Sequence, residues 1–344
     1  MTQGALAYHT QKFEFFSPTR IVFGLQSLGR IDSYLAGLDS KRVMIVCGKN
    51  FRKTENFQKV ADSLGSHLVG TFDSVTPHPT LDLCEEAGRE AAKLEIDTVV
   101  SVGGGSSIDV GKAATLLREG STKLRDYLVT FDVSKGRQVK QFQGKAYRHI
   151  AIPTTFSSAE ANGSAAVVEA DTRRKLILWS DSSLPSAIFL DPELVASLPR
   201  ELMAASGMNT LAHCMETMYS RDLQPISEAL AIGSLELIKD NLPACISATH
   251  QDIEALGMMQ IASAMAGFAY GNAVVSLHHA ICHVLGARFN VHHGIANSVM
   301  ITYVLRDMMD HIPGQIATIG YKIGIVPLGT NPREAAISVV KWVE

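Results

Sequence analysis

Residues 97–112 read DTVVSVGGGSSIDVGK, and this stretch decides the fold. An apolar run of strand length, residues 97–102, leads directly into Gly103, Gly104 and Gly105. Ser106 and Ser107 follow, and then a segment with helical spacing. Glycine lets a backbone take positive φ and approach a ligand closely. Ser106 or Ser107 is a natural helix N-cap, and the free N–H groups of a first helical turn attract an anion. Together these features predict a strand, a turn and a helix that cradle a pyrophosphate. A tight turn without a ligand is the other reading, and the backbone entropy of three successive glycines weighs against it. The spacing is not GxGxxG, so any dinucleotide is held by a different variant of the doubly wound sheet.

Outward from this turn, apolar runs of strand length recur at residues 42–47 (RVMIVC), 68–72 and 149–152. Helical spacing fills the intervals, as at residues 81–94. Strands alternating with helices predict a parallel sheet covered on both faces. Residues 165–169 and 175–179 bracket a charged, turn-forming segment and read as a hairpin appended to that sheet. After Asp191 and Pro192 the pattern changes to Ala, Leu, Met and Ile at helical spacing, with residues 203–218 and 252–267 as mostly buried helices. The expected organisation is an α/β doubly wound nucleotide-binding domain, residues 1–190, followed by an all-α domain, residues 191–344. The sequence stops inside an amphipathic helix, so the natural protein is expected to continue past Glu344.

Composition sets the class. Of 344 residues, 46% are hydrophobic and 19% charged, enough for two buried cores. A net charge of −3 gives no basis for a nucleic-acid or anionic-membrane partner. No apolar run is long enough for a membrane span, and residues 1–16 lack the apolar core of a signal peptide. Five cysteines without metal-type spacing read as buried thiols of a reducing compartment, which predicts a cytoplasmic enzyme.

A second candidate binding segment, Pro153 to Glu160, follows the strand at 149–152 and clusters hydroxyls at Thr154, Thr155, Ser157 and Ser158. Open α/β sheets bind ligands at such carboxyl ends. In the helical half, Asn209 and His213 stand four apart and share a helix face, as do His279 and His283. With His278, His292 and His293, these motifs hold six of the twelve histidines in apolar surroundings. Burying unpaired imidazoles costs of order 1–3 kcal/mol each, so the set reads as a functional cluster rather than scattered core residues. Imidazole suits zinc or iron, yet the facing residue is a neutral Asn209 where metal sites usually add a carboxylate.

Taken together, these motifs resemble the iron-containing (group III) alcohol dehydrogenase superfamily, which includes lactaldehyde reductases, glycerol dehydrogenases and maleylacetate reductases and shares its fold with dehydroquinate synthase. The resemblance runs in order from Pro18–Gly24 through the glycine turn, Pro153 to Thr155, Leu190 to Glu193 and Gly207 to His213, ending at His279 to Gly294. It implies that Gly103, Gly104, Gly105 and Ser106 hold the pyrophosphate of NADH or NADPH, with Asp109 and Lys112 supporting the loop. It also implies that Thr154, Thr155 and Ser158 line the cofactor cleft and that Lys175 reaches the cofactor from the hairpin. The family's metal positions fall on Asn209, His213, His279 and His293, and its additional active-site histidine falls on His283. Members of the family are commonly dimers, so a homodimer is expected.

Two departures stand out. Asn209 replaces the only anionic ligand, which weakens a site for iron or zinc. The phrase GMNTLAHC at 207–214, with His278 and Cys282, is similar to the maleylacetate reductase branch, thought to work without metal. Gly48 stands where many relatives carry an Asp for the adenine ribose, with Lys49 and Arg52 following, so NADPH should be tolerated alongside NADH.

The expected reaction is reduction of a small-molecule carbonyl substrate by hydride transfer. His279 or His283 would donate the proton, and His213 and Asn209 would orient the substrate. Arg288 reads as a surface residue. Metal-dependent alcohol dehydrogenase chemistry and a lyase or synthase on the same fold remain the alternatives.

Overall fold

A computed structural model describes residues 12–120, 122–132, 134, 136–247 and 252–344. Residues 1–11, part of the stretch read above for a signal peptide, lie outside the described residues. In chain order the elements are β1 (Arg20–Phe23), α1 (Ile31–Gly37), β2 (Val43–Gly48), α2 (Glu55–Leu64), β3 (Leu68–Val75), α3 (Leu81–Lys93), β4 (Thr98–Gly103) and α4 (Gly105–Thr115). There follow β5 (Thr130–Asp132), β6 (Gly136–Gln138), β7 (Arg148–Pro153), β8 (Ser164–Glu169), β9 (Arg174–Trp179) and β10 (Ala187–Leu190). The remainder is helical: α5 (Pro192–Val195), α6 (Arg200–Met218), α7 (Pro225–Ile246), α8 (Ile253–Gly271), α9 (Leu277–Phe289), α10 (His293–His311), α11 (Pro313–Lys322) and α12 (Pro332–Val343).

Six strands form one parallel sheet in the order β1-β10-β7-β4-β2-β3. Alternation along the strands feeds two cores. Met44, Val46 and Val99 pack with Cys84, Ala87, Ala91 and Val110 of α3 and α4. Val43, Ile45, Cys47, Val100 and Val102 pack with Ile31, Leu35, Phe57 and Val60 of α1 and α2 on the other face. The sheet is thus doubly wound, as its unbroken apolar strands require. A third core, including Leu211, Met215, Leu235, Ile238, Met259, Ile301 and Val339, fills the helical region. No helix among the described residues is long and apolar enough to cross a membrane.

Strand order fixes where a ligand can enter. The chain leaves β2 for the outer strand β3, then returns to place β4 on β2's other side. At such a switch point the loops diverge and open a crevice beyond the carboxyl ends of the strands. Gly48 and Gly103 end these two strands.

The hairpin departs from expectation. β8 and β9 pair antiparallel over Ser164–Trp179 to Glu169–Arg174 but form their own two-stranded ladder rather than joining the main sheet. A bridge between Thr80 and Val168 ties β8 to the β3–α3 loop, and one between Leu128 and Leu178 ties β9 to the segment before β5. That placement lets the hairpin wall the crevice instead of extending the sheet.

Candidate active site

The floor of the site is the β4–α4 turn. Gly103 has φ 136°, and a Cβ there would lie 2.7 Å from Ser107 Oγ. Glycine is therefore required by conformation and by space. Gly104, not Ser106 or Ser107, is the N-cap of α4, and no side chain caps it. The serines lie inside the first turn, with Ser107 Oγ filling the space beneath Gly103. The leading N–H groups of α4 are left facing the crevice, where an anion would meet them. One turn on, a Cβ at Gly111 would lie 2.7 Å from Ser101 Cβ, so this glycine lets α4 pack tightly on the sheet.

Above the floor lies a cavity of about 730 Å³. Gly104, Gly105, Ser106, Asp109 and Thr155 line one end, Lys175 and its neighbours on β9 one wall, and Asn209, His213, His279, His283 and His293 the other end. The structure therefore brings the glycine turn and the histidine cluster, more than 100 residues apart in sequence, to one space. Gly48, Gly103, Lys112, Thr154 and Ser158 do not line it. Thr154 donates its N–H to Gly103 O and belongs to the sheet edge. Ser158, fully buried at φ 60°, accepts from Ser263 Oγ and so faces α8 rather than the crevice.

Lys112 is also buried. Its ammonium donates to the carbonyls of Ala159 and Ser164, tying α4 to the segment before β8. Burial brings the Lys112 amine down to about 8 and pushes the nearby Glu160 carboxyl up to about 7. These are supports behind the cavity wall. Asp109 accepts the Ala166 N–H, and burial raises its carboxyl.

The histidine end is built by four helices. His213 of α6 lies between two rings, Tyr270 at 4.0 Å and His279 at 4.4 Å, both stacked. His283 stacks on His293 at 5.5 Å, and His279 stands 5.9 Å from His293. Burial holds the His278 imidazole down at about 4 and His283 at about 3, and pushes His213 and His293 well below the usual range. These rings are therefore neutral near pH 7. His278 donates from Nε2 to Asn297 O and is a core residue rather than a lining one. Arg288 is exposed, as expected.

Glu216, which sequence reading did not single out, organises this end. It is fully buried on α6, three residues after His213. Its carboxylate accepts the N–H groups of Ser276, His278 and His279, the Ser276 hydroxyl and the Nδ1–H of His279. Burial alone would raise this carboxyl, but His279 and His278 beside it and the Ser276 bond take it down to about 2. With Nδ1–H held by Glu216, Nε2 of His279 is buried without a protein partner among the described residues, as are Asn209 Oδ1 and His213 Nδ1. The sequence signal was a single carboxylate in the otherwise apolar body of α6. Its partners lie some sixty residues away.

A nicotinamide dinucleotide fits this cavity: the glycine turn offers a cradle that a Cβ would fill, and the length runs from that cradle to the histidines. A divalent metal fits poorly. Among the described residues, the only three His, Cys, Asp or Glu side chains whose ligating atoms lie within 4.8 Å of one another are Glu216, His278 and His279. That carboxylate is already saturated by five donors. His213, His279 and His293 do not converge in this way, and Asn209 brings no charge.

Comparison with known proteins agrees with this geometry. The family profile described as iron-containing alcohol dehydrogenase matches residues 18–192, and that for the C-terminal part of the Fe-containing alcohol dehydrogenase family matches residues 203–344. The chain is 28% identical to maleylacetate reductase 2 of Cupriavidus pinatubonensis over 309 residues, 90% of this chain and 77% of that protein. It is 30% identical to the NAD-dependent methanol dehydrogenase of Bacillus methanolicus over 294 residues, 84% of this chain and 74% of that protein. A crystal structure of 1,3-propanediol oxidoreductase matches with a TM-score of 0.88 at 26% identity, covering 97% of this chain and 85% of that one.

Proposed function

The chain belongs to the iron-containing alcohol dehydrogenase family, and from that premise we propose that this NAD(P)-dependent oxidoreductase reduces an unsaturated oxo acid of the maleylacetate type without a metal ion. In this reading residues 1–190 bind the cofactor and residues 191–344 the substrate. Gly104, Gly105 and Ser106 hold the pyrophosphate, Gly103 shapes the turn beneath them, and Thr155 flanks it. NADH or NADPH, when bound, supplies the hydride. Gly48 leaves no carboxylate to repel a 2′-phosphate, so both cofactors serve.

The observation that carries the proposal is the Glu216–His279 pair at the far end of the cavity. As hydride reaches a carbonyl carbon, negative charge builds on its oxygen and needs a proton or a positive partner. A proton on Nε2 of His279 is countered from behind by the Glu216 carboxylate, which also fixes the ring's orientation. None of the other lining histidines has a carboxylate bonded to it among the described residues. His213, held between Tyr270 and His279, and Asn209, whose Nδ2 donates to Ser157 O at 3.2 Å, form the surface against which the substrate is oriented. His283 completes the wall. We expect the enzyme to act in the cytoplasm as a homodimer, in the breakdown of aromatic compounds.

A second reading, a metal-dependent alcohol dehydrogenase, draws on the unpartnered Asn209 Oδ1, His213 Nδ1 and His279 Nε2. One experiment separates the two. Enzyme stripped exhaustively with a chelator should oxidise NADH and NADPH with maleylacetate as fast as untreated enzyme. Activity that returns only with added iron or zinc would put the alcohol dehydrogenase reading first.

A further inference from the structure

His279 is held by a carboxylate, but its neighbour His213 is not. The Nδ1 of His213 is buried and has no protein partner among the described residues. A histidine ring turns about a broad torsion, so without a hydrogen bond its plane is set by the flat surfaces it lies against. Two such surfaces enclose His213. The Tyr270 ring lies at 4.0 Å with 15° between planes, and the His279 ring at 4.4 Å with 10°. Tyr270 and His213 both line the cavity.

Tyr270 is itself fixed from behind. It stands in the last turn of α8, and its phenol oxygen accepts from Asn162 Nδ2. Asn162 in turn is fully engaged. Its Nδ2 also donates to Ser158 O at 3.1 Å, and its Oδ1 accepts from the Ser164 N–H at 2.8 Å, the Ser164 hydroxyl and the Lys112 ammonium at 3.5 Å. A Cβ at Gly267 would lie 2.5 Å from Ser158 O, and one at Gly271 2.9 Å from Asn162 Cβ, so α8 presses directly on the segment that carries Asn162. Burial, with the Asp109 and Glu160 carboxylates nearby, raises the phenol and keeps it neutral. A line of contacts thus starts at Lys112, on the helix of the glycine turn, and ends at the His213 ring.

We propose that Tyr270 is the positioning residue of His213: its face sets the plane of the imidazole that orients the substrate, and Asn162 sets the face. The inference rests on the reading of the histidine end as the substrate site and adds the residue that aligns it. His213 receives through stacking what His279 receives through Glu216, so the two parallel imidazoles have separate supports. A flat support restrains tilt and exchanges no proton, which suits a ring that orients rather than reacts.

The test compares Tyr270→Phe, which keeps the flat face, with Tyr270→Met and Tyr270→Leu, which remove it; either truncation suffices if the other does not fold. In enzyme labelled with 13C at histidine, the His213 ring signal is assigned by its loss in His213→Ala. That signal should be single and sharp in the parent and in Tyr270→Phe, and broadened or doubled in the truncations. With maleylacetate a truncation should lower kcat/KM about tenfold at unchanged NADH affinity, while Tyr270→Phe stays within about threefold. In the His213→Ala background a truncation should cost nothing further. A sharp His213 signal in the truncations overturns the inference. So do losses that add to those of His213→Ala, which would make Tyr270 a support of the fold at large. A matching loss of NADH affinity also overturns it, by assigning the face to the cofactor. A broadened His213 signal in an enzyme that reduces no oxo acid upholds this inference while overturning the proposed reaction. Oxo-acid reduction indifferent to the truncations does the reverse.

Discussion

Five donors converge on the Glu216 carboxylate, and two of them belong to His279. A buried charge so fully met is a fixed point, and the histidine that leans on it inherits that fixity. Replacing His279 and His283 together with alanine should lower hydride transfer by about 100-fold or more, read as single-turnover loss of NADH absorbance with maleylacetate. A loss of only a few-fold would remove both from the proton-donating role. The histidines themselves were legible, because residues four apart on a helix must share a face. Glu216 was not, because its partners come from a helix that begins at Leu277, and no spacing rule spans that gap. The same holds for Tyr270, whose stacking on His213 joins α8 to α6.

Among the elements, the β4–α4 turn shows how far pattern reading extends. Strand, glycines and helix follow in the expected order, but the capping role passes from the serines to Gly104. The reason is steric: with Gly103 at φ 136°, the first turn folds back so that Ser107 Oγ sits under it. Gly103→Ala should therefore cost about 1–3 kcal/mol of stability, seen in urea unfolding, and weaken NADH binding in a fluorescence titration. An alanine variant with unchanged stability and affinity would mean that the turn relaxes freely. The hairpin is the instructive miss. Its strands were visible as two runs bracketing a charged turn, yet that pattern says nothing about which sheet a hairpin joins. Here bridges from Thr80 to Val168 of β8 and from Leu128 to Leu178 of β9 hold the hairpin beside the cavity instead.

At the scale of the molecule, the doubly wound sheet buries a titratable side chain at its centre. His149 of β7 donates from Nδ1 to Ser183 O at 3.1 Å and accepts at Nε2 from Ser101 Oγ at 2.7 Å. Burial lowers its imidazole from 6.5 to about 3. The unfolded chain thus binds a proton that the folded one refuses, so this stability is complete above 6.5 and is lost as pH falls towards about 3. Urea midpoints should decline through that window, and His149→Gln should flatten the decline. A midpoint independent of pH there would contradict the burial argument. Parallel strands and alternating helices were readable from unbroken apolar runs, whereas strand order was not, since order depends on which crossover packs where. That order also governs how the sheet can be completed. Among the described residues β1, with Ile21 and Phe23 exposed, has β10 as its one partner in the sheet, and β10 is the last strand. A nascent chain leaving the ribosome must therefore carry an unpaired apolar edge through the synthesis of the entire sheet, while β2, β3 and β4 can already assemble behind it. Of the two edge strands, β1 precedes every other described strand and is seated last, which makes it the segment on which a holding chaperone would act during synthesis.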